Sequence, residues 1–276
     1  MRRGDDGRGG ENGVDEGRIA AFAAFAVELA ARARRVTLAT RSDGAGEDKG
    51  ADGAFDPVTK ADRGAERAMR ALIAERYPDH GVIGEEYGAE RGDARFVWSL
   101  DPIDGTRAFV CGLPGWTTLI ALMAEGQPLL GLVDAPRLDE LYLGFSAMAR
   151  LRRGGEESVL ATSGCARLDE ARLATTDPFL FAGEEAEAFA RLRGAARLTR
   201  YGFDGYAYAR LAAGSIDLVA ESGLRTYDWA ALVPLIRAAG GAVGNWRGES
   251  DFSDGQILAA ATPELFEAAV AALAMT

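Results

Sequence analysis

The stretch WSLDPIDGT, residues 98–106, decides how this chain is read. An apolar run ends in two aspartates three positions apart, followed at once by glycine and threonine. The run reads as a buried strand stopping at Asp101. A hard divalent cation such as Mg²⁺ takes oxygen ligands, commonly one or two carboxylates with substrate phosphate. Asp101 and Asp104, linked by Pro102 and the Ile103 carbonyl, could seat such ions, because proline fixes the local backbone. Gly105 and Thr106 would then offer N–H groups and a hydroxyl to a phosphate oxygen. Asp, Pro and Gly are also what an ordinary turn prefers, so the stretch alone leaves both readings open.

Outward from this stretch, other acids stand at element ends. GVIGEE, residues 81–86, reads as a short strand stopping at Glu85 and Glu86, and Asp228 reads as the N-cap of a helix over 227–241 kinked by Pro234. Asp56 and Asp62 bracket a Val-Thr-Lys segment. Such acids can converge only if cations neutralise them; otherwise they are surface charge.

Composition narrows the chemistry. The 276 residues carry 31 basic and 42 acidic side chains, a net charge of −11, which argues against a nucleic-acid partner. No run approaches the ~18 apolar residues of a membrane span, and no secretory signal is recognisable, so a cytoplasmic location is expected. The two cysteines give no disulfide framework. His80, the single histidine, lies in turn-like sequence and is expected to be a solvated loop residue, which rules out multi-histidine zinc sites. An aspartyl-phosphate mechanism needs nucleophile and acid at i and i+2, whereas Asp101 and Asp104 stand at i and i+3 with proline between; the cysteine-phosphatase type needs Arg six residues after Cys, where Thr117 and Ala171 stand.

Residues 1–17 are glycine-rich and charged, and are expected to be a disordered tail. Residues 18–276 are expected to form a single compact domain, about 18–150 carrying metal and phosphate and 151–276 the substrate. Periodicity predicts helices over 19–38, 63–76, 184–193, 206–214 and 263–274, with strands near 81–84, 96–100, 117–124, 129–133, 141–145, 172–176, 215–220, 242–246 and 256–261. Residues 42–53 read as a mobile loop or loose hairpin. Helices flanking mixed sheets argue a layered α/β sandwich.

Four motifs together, DPVTKAD at 56–62, GEE at 84–86, DPIDGT at 101–106 and YDWAA with its glycine pair from 227 to 241, resemble the inositol monophosphatase family of lithium-sensitive, Mg²⁺-dependent phosphatases. The resemblance runs from about residue 18 to the C-terminus, in the family's motif order. It implies an αβαβα sandwich with mixed, largely antiparallel sheets, a small phosphorylated metabolite as substrate and a homodimer. It implies Glu85, Asp101, the Ile103 carbonyl, Asp104 and Asp228 as metal ligands. Gly105 and Thr106 would bind phosphate. Asp56 with Thr106, or Glu85, would take the proton of the attacking water, whose pKa a bound cation lowers.

Within the family, the stretches around 55–63, 101–109, 173–178 and 217–228 look most like the histidinol-phosphate phosphatase branch, which serves histidine biosynthesis. Asp204 and Glu221 would add carboxylates near the leaving group, suiting a substrate with an ammonium better than a neutral polyol. Arg107 reads as a substrate contact or a surface ion pair. Phe203, Gly205, Ala135 and Leu141 depart from that branch. Alternatives are an inositol, sugar or nucleotide 3′-phosphate ester, or a non-enzymatic binding member of the family.

Overall fold

The structure is a computed structural model describing residues 14–40, 47–48 and 57–274. Asp56, the stretches 42–46 and 49–53, and residues 1–13 of the expected tail lie outside the described residues.

The chain runs through α1 (Glu16–Ala39), β1 (Glu47–Asp48), β2 (Pro57–Val58), α2 (Lys60–Arg76), β3 (Gly81–Gly84), β4 (Gly88–Glu90), β5 (Phe96–Asp104), α3 (Thr106–Val110), β6 (Thr117–Ala124), β7 (Gln127–Ala135), β8 (Glu140–Phe145), β9 (Met148–Arg153) and β10 (Glu156–Val159). It continues through β11 (Arg172–Thr175), α4 (Gly183–Ala195), β12 (Leu198–Tyr201), α5 (Asp204–Ala212), β13 (Leu218–Glu221), α6 (Thr226–Trp229), α7 (Leu232–Ala238), β14 (Ala242–Gly244), β15 (Ile257–Ala260) and α8 (Pro263–Leu273).

An eight-stranded sheet has the order β10-β9-β8-β7-β6-β5-β3-β4, antiparallel throughout except for the β3/β5 pair. A five-stranded sheet has the order β12-β11-β13-β15-β14, parallel in its first three strands. Strand alternation builds the layers: on β6, Ile120, Leu122 and Ala124 face a core with α1 and α2, while Leu119, Ala121 and Met123 face a second core with α5 and α7. A third core joins the smaller sheet to α4 and α8. The result is the expected αβαβα sandwich.

Close main-chain approach fixes the middle layer. A Cβ at Gly131 of β7 would stand 1.9 Å from the Ala231 carbonyl oxygen, and one at Gly144 of β8 would stand 2.4 Å from Leu235 Cα. Only glycine lets the α6–α7 segment lie this deep on the sheet.

Several local expectations are corrected. α1 begins at Glu16, N-capped by Asp15, and Val14 is buried, so helical order starts before residue 18. β5 does not stop at Asp101 but runs to Asp104 through a register shift, a bulge that admits Pro102. Asp228 is not an N-cap. It is the third residue of α6, and its Oδ2 accepts from the backbone N–H of Arg225, the true cap residue, at 2.6 Å. The expected long helix breaks at Ala230–Ala231, which puts Pro234 in the first turn of α7, where its missing N–H costs nothing. His80 is in a loop but buried, packed parallel to the Tyr77 ring with centroids 4.6 Å apart. Strands β2, β4, β9, β10 and β12 fall outside the expected set. Among the described residues no helix is long and apolar enough to cross a membrane.

Candidate metal and phosphate site

Parallel pairing of β3 with β5 sets Gly84 opposite Leu100, so both strands release acids at the same end. The Glu85 N–H donates to the Leu100 carbonyl at 3.2 Å, holding it beside Asp101. Asp101 is buried, and its Oδ1 accepts from the Ile103 N–H at 3.1 Å. Asp104 accepts from the Thr117 hydroxyl and from the Gly205 N–H, each at 2.7 Å. The Thr106 hydroxyl donates to the Ile103 carbonyl at 3.0 Å, and Gly105 turns the chain between them with φ +82°.

The electrostatics report the convergence that the sequence left open. Burial pushes the Asp101 carboxyl well above the usual range, and the fields of Glu85, Asp104, Asp228 and Asp62 push it further. Asp104 is raised in the same way, by burial and then by Asp204, with Asp228 adding and its two hydrogen bonds opposing. Neither Asp101 nor Asp104 has a cationic partner among the described residues. Among those residues, however, no three or more Asp, Glu, His or Cys side chains form a group ready to hold a metal ion. The donors are carboxylates and a backbone carbonyl, all hard oxygens that suit a hard divalent cation. The Tyr208 hydroxyl, fully buried and without a hydrogen-bond partner among the described residues, feels the fields of Glu221, Asp104 and Asp228, which marks unfilled polar capacity at the same place.

The two sheets meet over a cavity of about 180 Å³ lined by five carboxylates, Asp104, Asp177, Asp204, Glu221 and Asp228, with Thr175, Thr176 and Ser222 among the other walls. Thr176 and Glu221 lie at the carboxyl ends of parallel strands β11 and β13, where open α/β sheets place ligands. Burial, then Asp204 and Asp228, push Glu221 up to about 7, against the Thr176 hydroxyl and N–H, which donate to its Oε1 at 2.7 and 2.8 Å. Asp204 lies over Gly105, where a Cβ would stand 3.0 Å from its Oδ2. Burial raises Asp204; Thr176 and Arg107 pull it back. Arg107 is a largely exposed rim residue whose Nη1 stands 4.0 Å from Asp177 Oδ2. A larger cavity, about 560 Å³, opens at the other end of β11 and β13 around the Arg172–Asp217 pair and contains none of these acids.

Three supporting residues escaped sequence reasoning. Glu66 of α2, fully buried, accepts from the Glu86 N–H at 2.7 Å and the Tyr87 N–H at 3.3 Å and pairs with Arg70 at 2.7 Å, thereby shaping the turn that carries Glu85. Nothing in a helical acid signals this, although Gly84 is a clue: a Cβ there would sit 2.1 Å from Glu66 Oε1. Thr117 and Tyr208 look like ordinary strand and helix residues until β6 and α5 are placed against Asp104.

A twin-sheet sandwich with acids gathered at the seam offers the hard oxygen donors that a metal-dependent hydrolase of phosphate esters needs. Residues 19–275 match the model of the inositol monophosphatase family, and the chain belongs to that family and to its phosphomonoester hydrolases. It is 46% identical over 197 residues to the bifunctional phosphatase IMPL2, chloroplastic, of Arabidopsis thaliana, covering 71% of this chain and 56% of that protein. It is 32% identical over 219 residues to a histidinol-phosphatase of Chlorobaculum parvum, covering 79% of this chain and 83% of that one. Among solved structures, an inositol monophosphatase from Zymomonas mobilis superposes with a TM-score of 0.80 at 40% identity, over 92% of this chain and 98% of that one.

Proposed function

We propose that this protein hydrolyses a phosphomonoester whose alcohol carries an ammonium group, histidinol phosphate first, using Mg²⁺. The observation that carries the reading is the wall of the cavity: beyond Asp104 and Asp228 it holds three further carboxylates, Asp177, Asp204 and Glu221, and no lysine or arginine among its lining residues. A neutral polyol gains little from that field, whereas an ammonium is drawn in and neutralises it.

Glu85, Asp101, the Ile103 carbonyl, Asp104 and Asp228 would hold the cations. When bound, such ions supply the Lewis acidity that makes water a nucleophile near neutral pH. The chain's own groups would do the rest. The Gly105 and Thr106 N–H groups would receive phosphate oxygens. The Thr106 hydroxyl, already donating to the Ile103 carbonyl, keeps its lone pairs free to accept from the attacking water and so orient it. Asp56 would accept the proton that this water releases as it attacks phosphorus. Asp204, Glu221 and Asp177 would bind the ammonium, and Arg107 would hold Asp177 at the rim. A homodimer in the cytoplasm belongs to the same reading, with sedimentation as the check on subunit number.

The test is phosphate release from histidinol phosphate, inositol 1-phosphate and a nucleotide 3′-phosphate, with and without Mg²⁺. A kcat/KM highest for histidinol phosphate and lost with chelator supports the proposal. A preference for inositol 1-phosphate overturns the substrate and moves the reading to the activity in the name of the Zymomonas mobilis relative, with Glu221 accepting from polyol hydroxyls.

A further inference from the structure

His80, the chain's one histidine, is 6% exposed, and the Trp98 indole donates to its Nδ1 at 3.1 Å. An indole N–H only donates, so Nδ1 is bare and the hydrogen of the neutral imidazole sits on Nε2. Nε2 has no hydrogen-bond partner among the described residues, and His80 lines a separate cavity of about 330 Å³. The cavity's other walls include Arg18, Arg76, Arg95, Asp79, Tyr77 and Phe96.

The charge there runs against that of the whole molecule. Three guanidinium groups face one carboxylate in a chain of net charge −11. Arg18 and Arg95 share the Phe96 ring, with their guanidinium carbons 4.7 and 5.2 Å from its centroid. Arg76 lies 3.6 Å from Glu28, and Arg95 lies 3.4 Å from Glu125, all four side chains about half exposed or more, so these pairs are weakly held. Arg18 has no ion-pair partner among the described residues. Burial first, then Arg18 and Arg91, hold His80 down to about 4 against the opposing field of Asp79. The imidazole therefore offers an uncharged N–H that persists through neutral pH.

We propose that this cavity binds a small phosphoryl oxyanion, with Arg18 and Arg95 as charged arms and His80 Nε2–H as the donor from its floor. Guanidinium groups lining one cavity beside a fixed neutral donor are the chemistry that recognises phosphate. The site is separate from the acidic seam. Phe96 opens β5 and Gly81 opens β3, so the cavity lies at the far end of the strands that deliver Glu85 and Asp101. The five residue steps from Phe96 to Asp101 span roughly 17 Å of strand.

A lone histidine is its own probe. In full-length protein labelled with ¹³C,¹⁵N-histidine, the imidazole Cε1–H and Nε2–H signals would be followed during titration with inorganic phosphate, and separately with phenylphosphonate, at constant ionic strength set with chloride. A saturable shift in the wild type and in Asp104→Asn is expected. Arg18→Gln should raise the midpoint about tenfold, the scale of one charge-assisted contact, with hydrolysis unchanged. Arg18 is exposed, so that variant should fold; Arg95→Gln provides a second. Tighter binding of phenylphosphonate would point to an organic phosphoryl group stacking on Phe96 or Tyr77, and equal binding to free phosphate. Absence of a saturable shift, or a midpoint unchanged in both arginine variants, overturns the proposal.

Discussion

Gly205 donates its N–H to Asp104 Oδ2 at 2.7 Å, and a Cβ at position 205 would stand 2.7 Å from the same oxygen. One hydrogen bond therefore ties α5 of the second half to β5 of the first, and it is possible only because residue 205 has no side chain. Asp104→Asn keeps the amide's size and removes one charge from the cluster. Hydrolysis should fall by about 10²–10³, the scale for losing one electrostatic stabiliser of a transition state. The metal-free melting temperature should hold or rise, since burial and Asp204 oppose the ionised form. Steady-state kinetics and calorimetry on one preparation read both.

Stability without metal should fall as pH rises. Glu221 and Asp204 bind their protons more tightly folded than unfolded, so their protonation favours the fold. For Glu221 that contribution is complete below its ordinary value of 4.5 and is lost as pH rises through about 7. His80 has the opposite sign: its depressed value preserves stability above the ordinary 6.5, and that stability is lost as pH falls through about 4. Between pH 6.5 and 8 only the acids act, so the melting temperature of chelated protein should drop across that window. Saturating Mg²⁺ should flatten the slope, because the ionised carboxylates then have a partner.

Glu66→Gln tests the support beneath Glu85. The amide can still accept from one N–H, but it presents a donor where the carboxylate accepts from Glu86 or Arg70. Loss of a group that orients a metal ligand costs about 10–100-fold in metal affinity. Titration calorimetry with Mn²⁺ should give a drop of that size with the secondary structure intact.

Gly131→Ala should be among the most damaging single changes outside the acids. The added methyl would meet the Ala231 carbonyl oxygen at 1.9 Å, and main chain cannot step aside as a side-chain tip can. A loss of about 3 kcal/mol is expected in urea unfolding, the upper range for overpacking.

Asp204→Asn separates charge from shape. Residue 204 has φ +44°, which asparagine tolerates nearly as well as aspartate, so the backbone should keep its course. KM for histidinol phosphate should rise about tenfold, the order of one charge-assisted hydrogen bond, while that for inositol 1-phosphate should change little. Equal changes for both esters would remove Asp204 from substrate recognition.

Sequence alone carried the architecture because the signals were strong and local. Alternating apolar strands and glycine stops argue a layered α/β sandwich, and the four motifs taken together, rather than the 101–106 stretch alone, supply its particular layering through the family resemblance. Where it failed, a contact distant in sequence decided the outcome. His80 sits in turn-forming residues, yet Trp98 and Tyr77 bury it. Asp228 precedes an apolar run like any cap, but Arg225 takes that position and the chain breaks at Ala230. Gly205 looked like an odd departure from a family pattern; its reason is an oxygen 101 residues away. Glu66 carried no signal at all, since a buried acid in a helix is indistinguishable on paper from a solvated one.

The seat of α7 on Gly131 and Gly144 is a touch between two peptide backbones. The atoms that meet there belong to every amino acid, so the height of Asp228 above the larger sheet is fixed without reference to any neighbour's identity. The surrounding apolar side chains must still fill their space, but the depth at which Asp228 sits depends first on those two positions staying bare.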